Sequence, residues 1–318
     1  MPDPSIARPE LLLAAPLMPF LVEQLREHYT LHDRTHVADP AAFTAAAPRI
    51  RGVVANGEAK VPAELIARLP ALEVISVFGV GYDGVDVAAA HARGVPVTNT
   101  PEVLNDDVAD LAIGLLIAVA RRIPQADRFV RANEWPAGPI ALARKVSGGR
   151  LGIVGMGRIG QAIAQRAAAF GMDIAYTARS PRSAVSYTYH PDPVALAAAV
   201  DFLVVITPGG AGTRGLIDAR VLQALGPEGY LVNVARGTVV DQPALIDALR
   251  DGVIAGAALD VFVGEPEVPE ALRQLPNVVL TPHIGSGTKQ TREAMGRLVF
   301  DNLQAHFAGR PLLTPVDA

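Results

Sequence analysis

The sequence contains no cysteine among its 318 residues. Disulfides, a catalytic thiol, zinc held by thiolates and iron–sulfur clusters all need a cysteine sulfur, so each of them is excluded. This composition is typical of proteins from a reducing compartment, so we predict a cytoplasmic location and no metal site. If the protein carries out redox chemistry, it must use a bound organic cofactor.

The sequence also lacks long apolar runs and a large excess of charge of either sign. The run Leu111 to Ala120 has ten residues, about half of what a membrane span requires. Near the N-terminus, Pro16 and Pro19 interrupt the apolar stretch Leu11 to Val22, which is unlike a secretion signal. The 28 basic residues nearly balance the 32 acidic ones, giving a net charge of −4. We therefore expect no broad cationic surface for nucleic acid or anionic lipid, and predict a small-molecule partner.

Two series of short β-rich runs alternate with alanine-rich helical stretches. This alternation predicts βαβ units, and hence an α/β fold with parallel sheets. The first series predicts four strands, and the second predicts six, as in one doubly wound dinucleotide-binding sheet. The predicted strands are residues 11–14, 52–55, 74–78 and 95–99 in the first series, and 151–154, 174–176, 202–206, 231–234, 257–259 and 278–280 in the second.

The length of the chain is typical of about two domains. We predict a nucleotide-binding domain over residues 99–287, inserted into a second domain made from residues 1–98 and 288–318. Two helical stretches between the strand series, Leu104 to Arg121 and Pro124 to Ala132, have a broad apolar face. They are predicted to form an interdomain or intersubunit arm over about residues 99–135.

Two segments match the glycine-rich pattern G-x-G-x-x-G, Gly79 to Gly84 and Gly155 to Gly160. A dinucleotide-binding loop must open a long helix and be followed by a second strand. Only the second segment does so, because helical periodicity runs from Arg158 to Phe170 and a strand follows. The second segment is therefore predicted to bind the nucleotide, and the first to form a tight turn. The exposed amides of that turn are able to hold a small anion such as a carboxylate.

The residues after the next strand bear on the choice between NAD and NADP. NAD enzymes place Asp or Glu there to accept a hydrogen bond from the ribose 2′-hydroxyl, whereas this chain has Arg179, Ser180 and Arg182. Two guanidinium groups beside a hydroxyl suit a 2′-phosphate. The sequence predicts that NADPH is preferred over NADH; the alternative interpretation is a solvated basic turn.

Four polar residues follow the later strands: Arg236, Asp260, Glu265 and His283. Ligands of doubly wound sheets lie beyond the carboxyl ends of the strands, so these side chains are candidates for catalysis. Reduction of a 2-oxo acid needs a hydride from the cofactor and a proton for the substrate oxygen. His283 is suited to donate the proton and Glu265 to keep the imidazole protonated, while Arg236 can pair with the substrate carboxylate. Taken singly, each residue also fits an ordinary structural role.

Six segments occur in order along the chain: FGVGYDGVD, NTPEVLNDDVADLAIGLLIAVARR, VGMGRIG, VNVARGTVVD, ALDVFVGEPEVP and TPHIGSGT. From about Val74 to Pro315, the chain resembles the D-isomer-specific 2-hydroxyacid dehydrogenases, most closely their NADPH-dependent glyoxylate/hydroxypyruvate reductase branch. The resemblance implies a Rossmann nucleotide domain inserted into a flavodoxin-like substrate domain, and a homodimer built on the arm helices. It also implies reduction of small 2-oxo acids, such as glyoxylate and hydroxypyruvate, to D-2-hydroxy acids.

The resemblance also implies roles for particular residues, with Arg236, Glu265 and His283 as the catalytic trio. The implied cofactor-binding residues are Gly155, Met156, Gly157, Arg158, Ile159, Gly160, Arg179, Ser180, Arg182, Thr207, Pro208, Thr213, Val234, Ala235, Asp260, His283 and Gly285. The implied substrate-binding residues are Phe78, Val80, Gly81, Arg236, His283 and Ser286. Trp135, the only tryptophan, corresponds to an aromatic residue that related reductases send toward a neighbour's active site; a packed arm aromatic is the alternative.

The chain departs from many relatives at Thr207 to Thr213, where they have a Cys-Pro-Leu-Thr type of segment. Glu265 argues against a formate dehydrogenase, because those enzymes pair the histidine with an amide. The FGVGYDGVD loop offers no cation for the phosphate of phosphoglycerate. Two alternatives stay open: another D-2-hydroxyacid dehydrogenase, such as a 2-ketogluconate type, and a non-catalytic NAD(P)-sensing protein.

Overall fold

The computed structural model describes residues 8–317. The strands in this range are β1 (Glu10–Leu13), β2 (Thr30–Asp33), β3 (Ile50–Asn56), β4 (Val74–Phe78), β5 (Val97–Thr98), β6 (Arg150–Val154), β7 (Asp173–Thr177), β8 (Thr188–Tyr189), β9 (Phe202–Val205), β10 (Tyr230–Asn233), β11 (Gly256–Leu259) and β12 (Val278–Leu280).

The α-helices in the same range are α1 (Pro19–His28), α2 (Thr35–Ala38), α3 (Pro40–Ala46), α4 (Ala63–Ala67), α5 (Val87–Ala92), α6 (Asn105–Ala120), α7 (Ile123–Arg131), α8 (Arg158–Ala169), α9 (Pro193–Ala198), α10 (Ala219–Leu225), α11 (Gln242–Arg250), α12 (Glu270–Arg273) and α13 (Lys289–Phe307). Five of them begin at an aspartate whose carboxylate accepts a hydrogen bond from a backbone N–H of the first turn, which stabilises the helix start. These residues are Asp39, Asp86, Asp192, Asp218 and Asp241.

The chain divides into two compact units. The first comprises the residues up to Leu104 together with those from Lys289 onward, and the second comprises Asn105–Thr288. The predicted domain boundaries, 98/99 and 287/288, lie near these divisions. Residues 1–7 and 318, which the predicted second domain includes, lie outside the described residues.

The first unit is built on a five-stranded parallel sheet in the order β2-β1-β3-β4-β5, which is the flavodoxin-like order. Every residue of β4 is buried, as expected for a parallel strand covered on both faces. Helix α13 packs against β4 and α1, so the end of the chain returns to the unit in which it began. The loops that follow β3 and β4 carry Gly57 and Gly79, and a Cβ on Gly79 would lie 3.5 Å from the Gly57 amide nitrogen.

The second unit has a seven-stranded parallel sheet in the order β12-β11-β10-β9-β6-β7-β8. The order reverses at β6, which is the topological switch point of a doubly wound sheet. Helix α6 packs against α8, β10 and β11. Because all seven strands are parallel, the loops that follow them lie at one edge of this sheet.

The predicted fold class, with its two doubly wound parallel sheets, is confirmed. The predicted numbers of strands were wrong, because β2 and β8 were missed. Both are edge strands. The sequence of β2 (TLHD) shows no alternation of apolar and polar residues, and β8 has only two residues. Short edge strands bury too little surface to leave a hydrophobic pattern. No helix of the described chain has the length and apolar character that crossing a membrane demands.

Candidate active site

The loop Gly155 to Gly160 joins β6 to α8 at the switch point of the second sheet. Gly155 has a φ of +108°, and a Cβ there would lie 2.8 Å from the amide nitrogen of Thr207. A Cβ on Gly160 would lie 2.1 Å from the carbonyl oxygen of Gly155. Any side chain at either position would therefore displace the backbone, so both glycines are required by close packing.

Gly157 differs from its two neighbours, because a Cβ there would meet no atom within 4 Å. It is the N-cap of α8, and no side chain caps this helix. The first amides of α8 thus remain available beside open space, the arrangement that holds a pyrophosphate at a helix N-terminus. This loop therefore fits a dinucleotide, with Met156 buried beneath it and Arg158 at the first helical position.

Arg179, Ser180 and Arg182 follow β7 and are all exposed. Neither guanidinium forms an ion pair with another described residue. The segment also contains no carboxylate. The arrangement is thus a cationic turn beside the second strand of the sheet, where the ribose of a dinucleotide lies in this fold.

Two tyrosines, Tyr176 buried and Tyr189 half-buried, hold this turn in place. The backbone N–H of Arg182 donates to the hydroxyl oxygen of Tyr176 at 2.8 Å, and Tyr176 is only 1% exposed. The ring of Tyr189 packs against that of Tyr176, and its hydroxyl donates to the carbonyl oxygen of Ala178 at 3.3 Å. Neither tyrosine was predicted from the sequence; their signal was one aromatic residue in each of two neighbouring strands.

The remaining predicted cofactor-binding residues, and Ser286, which was predicted to bind substrate, also follow strands of the second sheet. Thr207 and Pro208 follow β9, Val234 and Ala235 follow β10, and Gly285 and Ser286 follow β12. Thr213 ends the 3₁₀ turn Ala211–Thr213, and its hydroxyl donates to the carbonyl oxygen of Pro208 at 2.7 Å. The structure thus places these residues at the same edge of the sheet as the glycine loop. Their contacts with a cofactor stay predictions.

Glu265 and His283 are in direct contact. One carboxylate oxygen of Glu265 lies 2.7 Å from His283 Nδ1, and the other accepts a hydrogen bond from the backbone N–H of Phe262 at 2.7 Å. A carboxylate can only accept, so Nδ1 carries the proton of this contact and donates it to Glu265. The neighbouring negative charge stabilises the protonated imidazole. This pair can therefore hold a proton ready for transfer.

Asp260 fixes the turn that carries His283. Its carboxylate accepts hydrogen bonds from the Thr281 hydroxyl at 2.6 Å and from the backbone N–H groups of Ile284 and Gly285, each at 2.8 Å. His283 has a φ of +52°, a conformation that costs energy for a residue with a side chain. The hydrogen bonds to Asp260 stabilise that conformation. Burial raises the pKa of Asp260, and these hydrogen bonds oppose the rise.

We expect Asp260→Asn to lower the free energy of unfolding by about 1–3 kcal/mol, because one of the three donors loses its acceptor inside the protein. Urea unfolding followed by circular dichroism measures this loss. Asp247→Asn is the matched control, since Asp247 is 62% exposed and pairs with Arg250 at the surface; it should change the free energy by less than about 0.5 kcal/mol. Equal values for the two variants would contradict this role for Asp260.

Arg236 lies in the turn after β10. The side chain of Asn233, 1% exposed, organises this turn: its amide donates to the Arg236 carbonyl oxygen at 3.0 Å, and its carbonyl accepts from the Ala235 N–H at 3.0 Å. A Cβ on Gly237 would lie 2.0 Å from the carbonyl carbon of Phe262, so the turn packs closely against the segment that leads to Glu265. Asn233 was not predicted from the sequence, although an amide side chain at the end of an apolar strand was its signal.

The remaining predicted site residues belong to the first unit or to the arm. Phe78 ends β4, and the Arg292 guanidinium lies over its ring at 5.6 Å. Val80 and Gly81 follow in the first glycine loop, where a Cβ on Gly84 would lie 2.2 Å from the Ala59 carbonyl oxygen. Trp135 is 66% exposed, which is unlike an aromatic packed within its own chain.

Comparison with known proteins identifies the family. A family model described as the NAD-binding domain of D-isomer specific 2-hydroxyacid dehydrogenases matches residues 113–285. The chain is 49% identical over 306 residues to a hydroxyphenylpyruvate reductase of Plectranthus scutellarioides, covering 96% of this chain and 98% of that protein. It is 52% identical over 267 residues to a glyoxylate/hydroxypyruvate reductase of Arabidopsis thaliana, covering 84% and 85% of the two chains.

A solved structure is similar along nearly the whole chain. It is an NADPH-dependent glyoxylate/hydroxypyruvate reductase from Sinorhizobium meliloti, crystallised in complex with NADP and malonate. The TM-score is 0.92 and the sequence identity 48%, covering 98% of this chain and 97% of that one. With two doubly wound sheets, the glycine cradle and the Glu265–His283 pair, the chain belongs to the D-isomer specific 2-hydroxyacid dehydrogenase family.

Proposed function

We propose that this protein reduces small 2-oxo acids, such as glyoxylate and hydroxypyruvate, to D-2-hydroxy acids with NADPH. The observation that carries this proposal is the contact between His283 Nδ1 and the Glu265 carboxylate at 2.7 Å. A reductase of this kind needs a proton donor at the carboxyl edge of its nucleotide sheet. The names of the similar reductases support the same class of substrate.

In this proposal each catalytic side chain has one task. A bound nicotinamide cofactor supplies the hydride. His283 donates a proton from Nε2 to the substrate oxygen, and a positioned acid of this kind contributes about 10²- to 10⁴-fold to the rate. Glu265 holds the ring through Nδ1 and stabilises its charged form. Arg236 polarises the substrate and pairs with its carboxylate through the two parallel N–H groups of its guanidinium.

The cofactor would be held by the cradle at Gly155 to Gly160 and selected by the cationic turn after β7. Two guanidinium groups without ion-pair partners among the described residues, with Ser180 between them, suit the 2′-phosphate of NADPH. With no carboxylate in this turn, the ribose hydroxyl of NADH has no acceptor of the usual kind there. These two features support a preference for NADPH.

Arg179→Ala should weaken NADPH binding by about 10- to 100-fold, the loss of one charged hydrogen bond, and leave NADH binding nearly unchanged. Fluorescence titration with each cofactor measures this effect. Arg250→Ala is a control, because Arg250 is exposed and pairs with Asp247 and Asp251. Equal losses for the two cofactors would show that Arg179 does not recognise the 2′-phosphate.

We also propose a homodimer formed through the arm. Helix α7 has no buried residue. Two apolar side chains of the predicted arm are largely exposed, Val130 at 56% and Trp135 at 66%, and Leu142, which follows the arm, is 98% exposed. Apolar surface of this kind favours association with a second copy. Sedimentation analysis is the direct check. The cytoplasmic location and the role of Trp135 at a neighbour's active site stay predictions.

The experiment that tests the function is a kinetic panel with NADPH and four 2-oxo acids: glyoxylate, hydroxypyruvate, pyruvate and 2-ketogluconate. Oxidation of NADPH that depends on glyoxylate or hydroxypyruvate supports the proposal. Greater activity with 2-ketogluconate would instead favour that type of dehydrogenase. NADPH binding without turnover of any of the four acids would contradict the proposal and favour a cofactor-sensing protein.

A further inference from the structure

One peptide group of the first glycine loop is held by a side chain from another strand. The carbonyl oxygen of Val80 accepts a hydrogen bond from Asn99 Nδ2 at 2.9 Å. The Val80–Gly81 peptide is trans, so its N–H, which belongs to Gly81, points to the side opposite its carbonyl. The contact with Asn99 therefore fixes the direction in which the Gly81 amide donates.

The amides of this loop are open to a ligand. Neither the Val80 N–H nor the Gly81 N–H donates to an acceptor among residues 8–317. The preceding residue, Gly79, is held by two hydrogen bonds: its N–H donates to the Val77 carbonyl oxygen at 3.1 Å, and its carbonyl oxygen accepts from the Thr100 N–H at 2.9 Å. Two backbone donors without an acceptor, in a turn whose flanking residues are fixed, are suited to bind a carboxylate.

Asn99 is itself held from two sides by the end of the chain. Its backbone N–H donates to the Thr314 carbonyl oxygen at 3.3 Å, and its carbonyl oxygen accepts from the Thr314 hydroxyl at 2.7 Å. Thr98 and Pro315 form an antiparallel bridge beside these bonds. The backbone groups of Asn99 thus bind the end of the chain, and its side-chain amide binds the first glycine loop.

The position of Thr314 is set by a buried amide on α13. Asn302, 0% exposed, donates from Nδ2 to the Thr314 hydroxyl oxygen at 2.9 Å. Its Oδ1 accepts from the N–H groups of Leu313 and Thr314, at 3.0 Å and 3.2 Å. A continuous series of hydrogen bonds therefore runs from Asn302 through Thr314 and Asn99 to Val80.

We propose that Asn99 is a positioning residue that aims the Gly81 amide at the carboxylate of the substrate, and that Thr314 holds Asn99 in register. The inference rests on the proposed function and adds a residue to its substrate site. Loss of the Asn99 amide frees the Val80–Gly81 peptide to rotate, which weakens the grip on the carboxylate. The nucleotide cradle, which belongs to the other unit, is unaffected.

The test is Asn99→Ala, with binding of the substrate and binding of the cofactor measured separately. A merely structural role for Asn99 would change both. We expect the KM for glyoxylate to rise by about three- to tenfold, the size of one hydrogen bond, while kcat and the KM for NADPH stay within about twofold. Calorimetry with malonate as the carboxylate probe, in saturating NADPH, should give a Kd raised by a similar factor. Unchanged values for glyoxylate and malonate, or an equal rise in the KM for NADPH, would overturn the proposal.

Thr314 provides a second variant and its rescue. Thr314→Val removes the hydroxyl and should raise the malonate Kd by about two- to fivefold, whereas Thr314→Ser keeps the hydroxyl and should match the unaltered protein. If the protein turns over no 2-oxo acid, the proposed function fails, and malonate binding alone then decides this inference. Weaker malonate binding by Asn99→Ala would still support it. Absent or unchanged binding would overturn it.

Discussion

Replacing His283 with alanine is expected to lower kcat for glyoxylate reduction by at least about 100-fold and to preserve the affinity for NADPH. The large effect is expected because the imidazole that Glu265 holds through Nδ1, at 2.7 Å, is the proton donor of the proposed reaction. Without the imidazole, the alkoxide that develops on the substrate has only water to protonate it. Single-turnover kinetics, together with a fluorescence titration of NADPH, measures the two quantities separately.

His91→Ala is the control for this variant, because His91 lies in the last turn of α5, in the first unit. Its kcat should equal that of the unaltered protein. Near-normal turnover by His283→Ala would exclude His283 as the proton donor. A parallel loss of NADPH affinity would instead indicate that the turn held by Asp260 had collapsed.

Replacing Arg236 with lysine is expected to lower kcat/KM for the 2-oxo acid by about 10²-fold, the size of the loss when one donor to a developing oxyanion is removed. Lysine keeps the positive charge but lacks the planar pair of N–H groups that matches a carboxylate. The Asn233 amide and the close packing of Gly237 fix the backbone of this turn. The backbone therefore cannot move to restore the lost contact between residue 236 and the substrate.

Arg220→Lys is the matched control for Arg236→Lys. Arg220 is 82% exposed and pairs with Asp218 at the start of α10. Its replacement should leave kcat/KM within about twofold, as for a surface ion pair. If Arg236→Lys behaved like this control, positive charge alone would explain the role of Arg236, and the proposed paired recognition of the carboxylate would be wrong.

The sequence predicts much of this architecture because its signals are local. Alternation of strands and helices predicts two parallel sheets, and a glycine pattern followed by a long helix distinguishes Gly155 to Gly160 from Gly79 to Gly84. The helix predicted from Arg158 to Phe170 is observed as Arg158–Ala169. The edge strands β2 and β8 were missed, because their positions are decided by pairing with β1 and β7 rather than by their own composition.

The candidate site was less predictable, because its order depends on contacts distant in sequence. The residue types Arg236, Glu265 and His283 stand out at strand ends. Nothing local indicates that Asn302 on α13 supports the backbone of Val80 through Thr314. Such a series becomes visible only after the end of the chain has folded back beside β5.

In the proposed reaction NADPH gives a hydride to one face of the 2-oxo carbon, and a proton is added to the carbonyl oxygen. The most direct measurement incubates the protein with hydroxypyruvate and NADPH and compares the cofactor consumed with the configuration of the glycerate formed, by chiral chromatography. The account predicts D-glycerate in an amount equal to the NADPH oxidised. L-glycerate, or NADPH that binds without being oxidised, would contradict it.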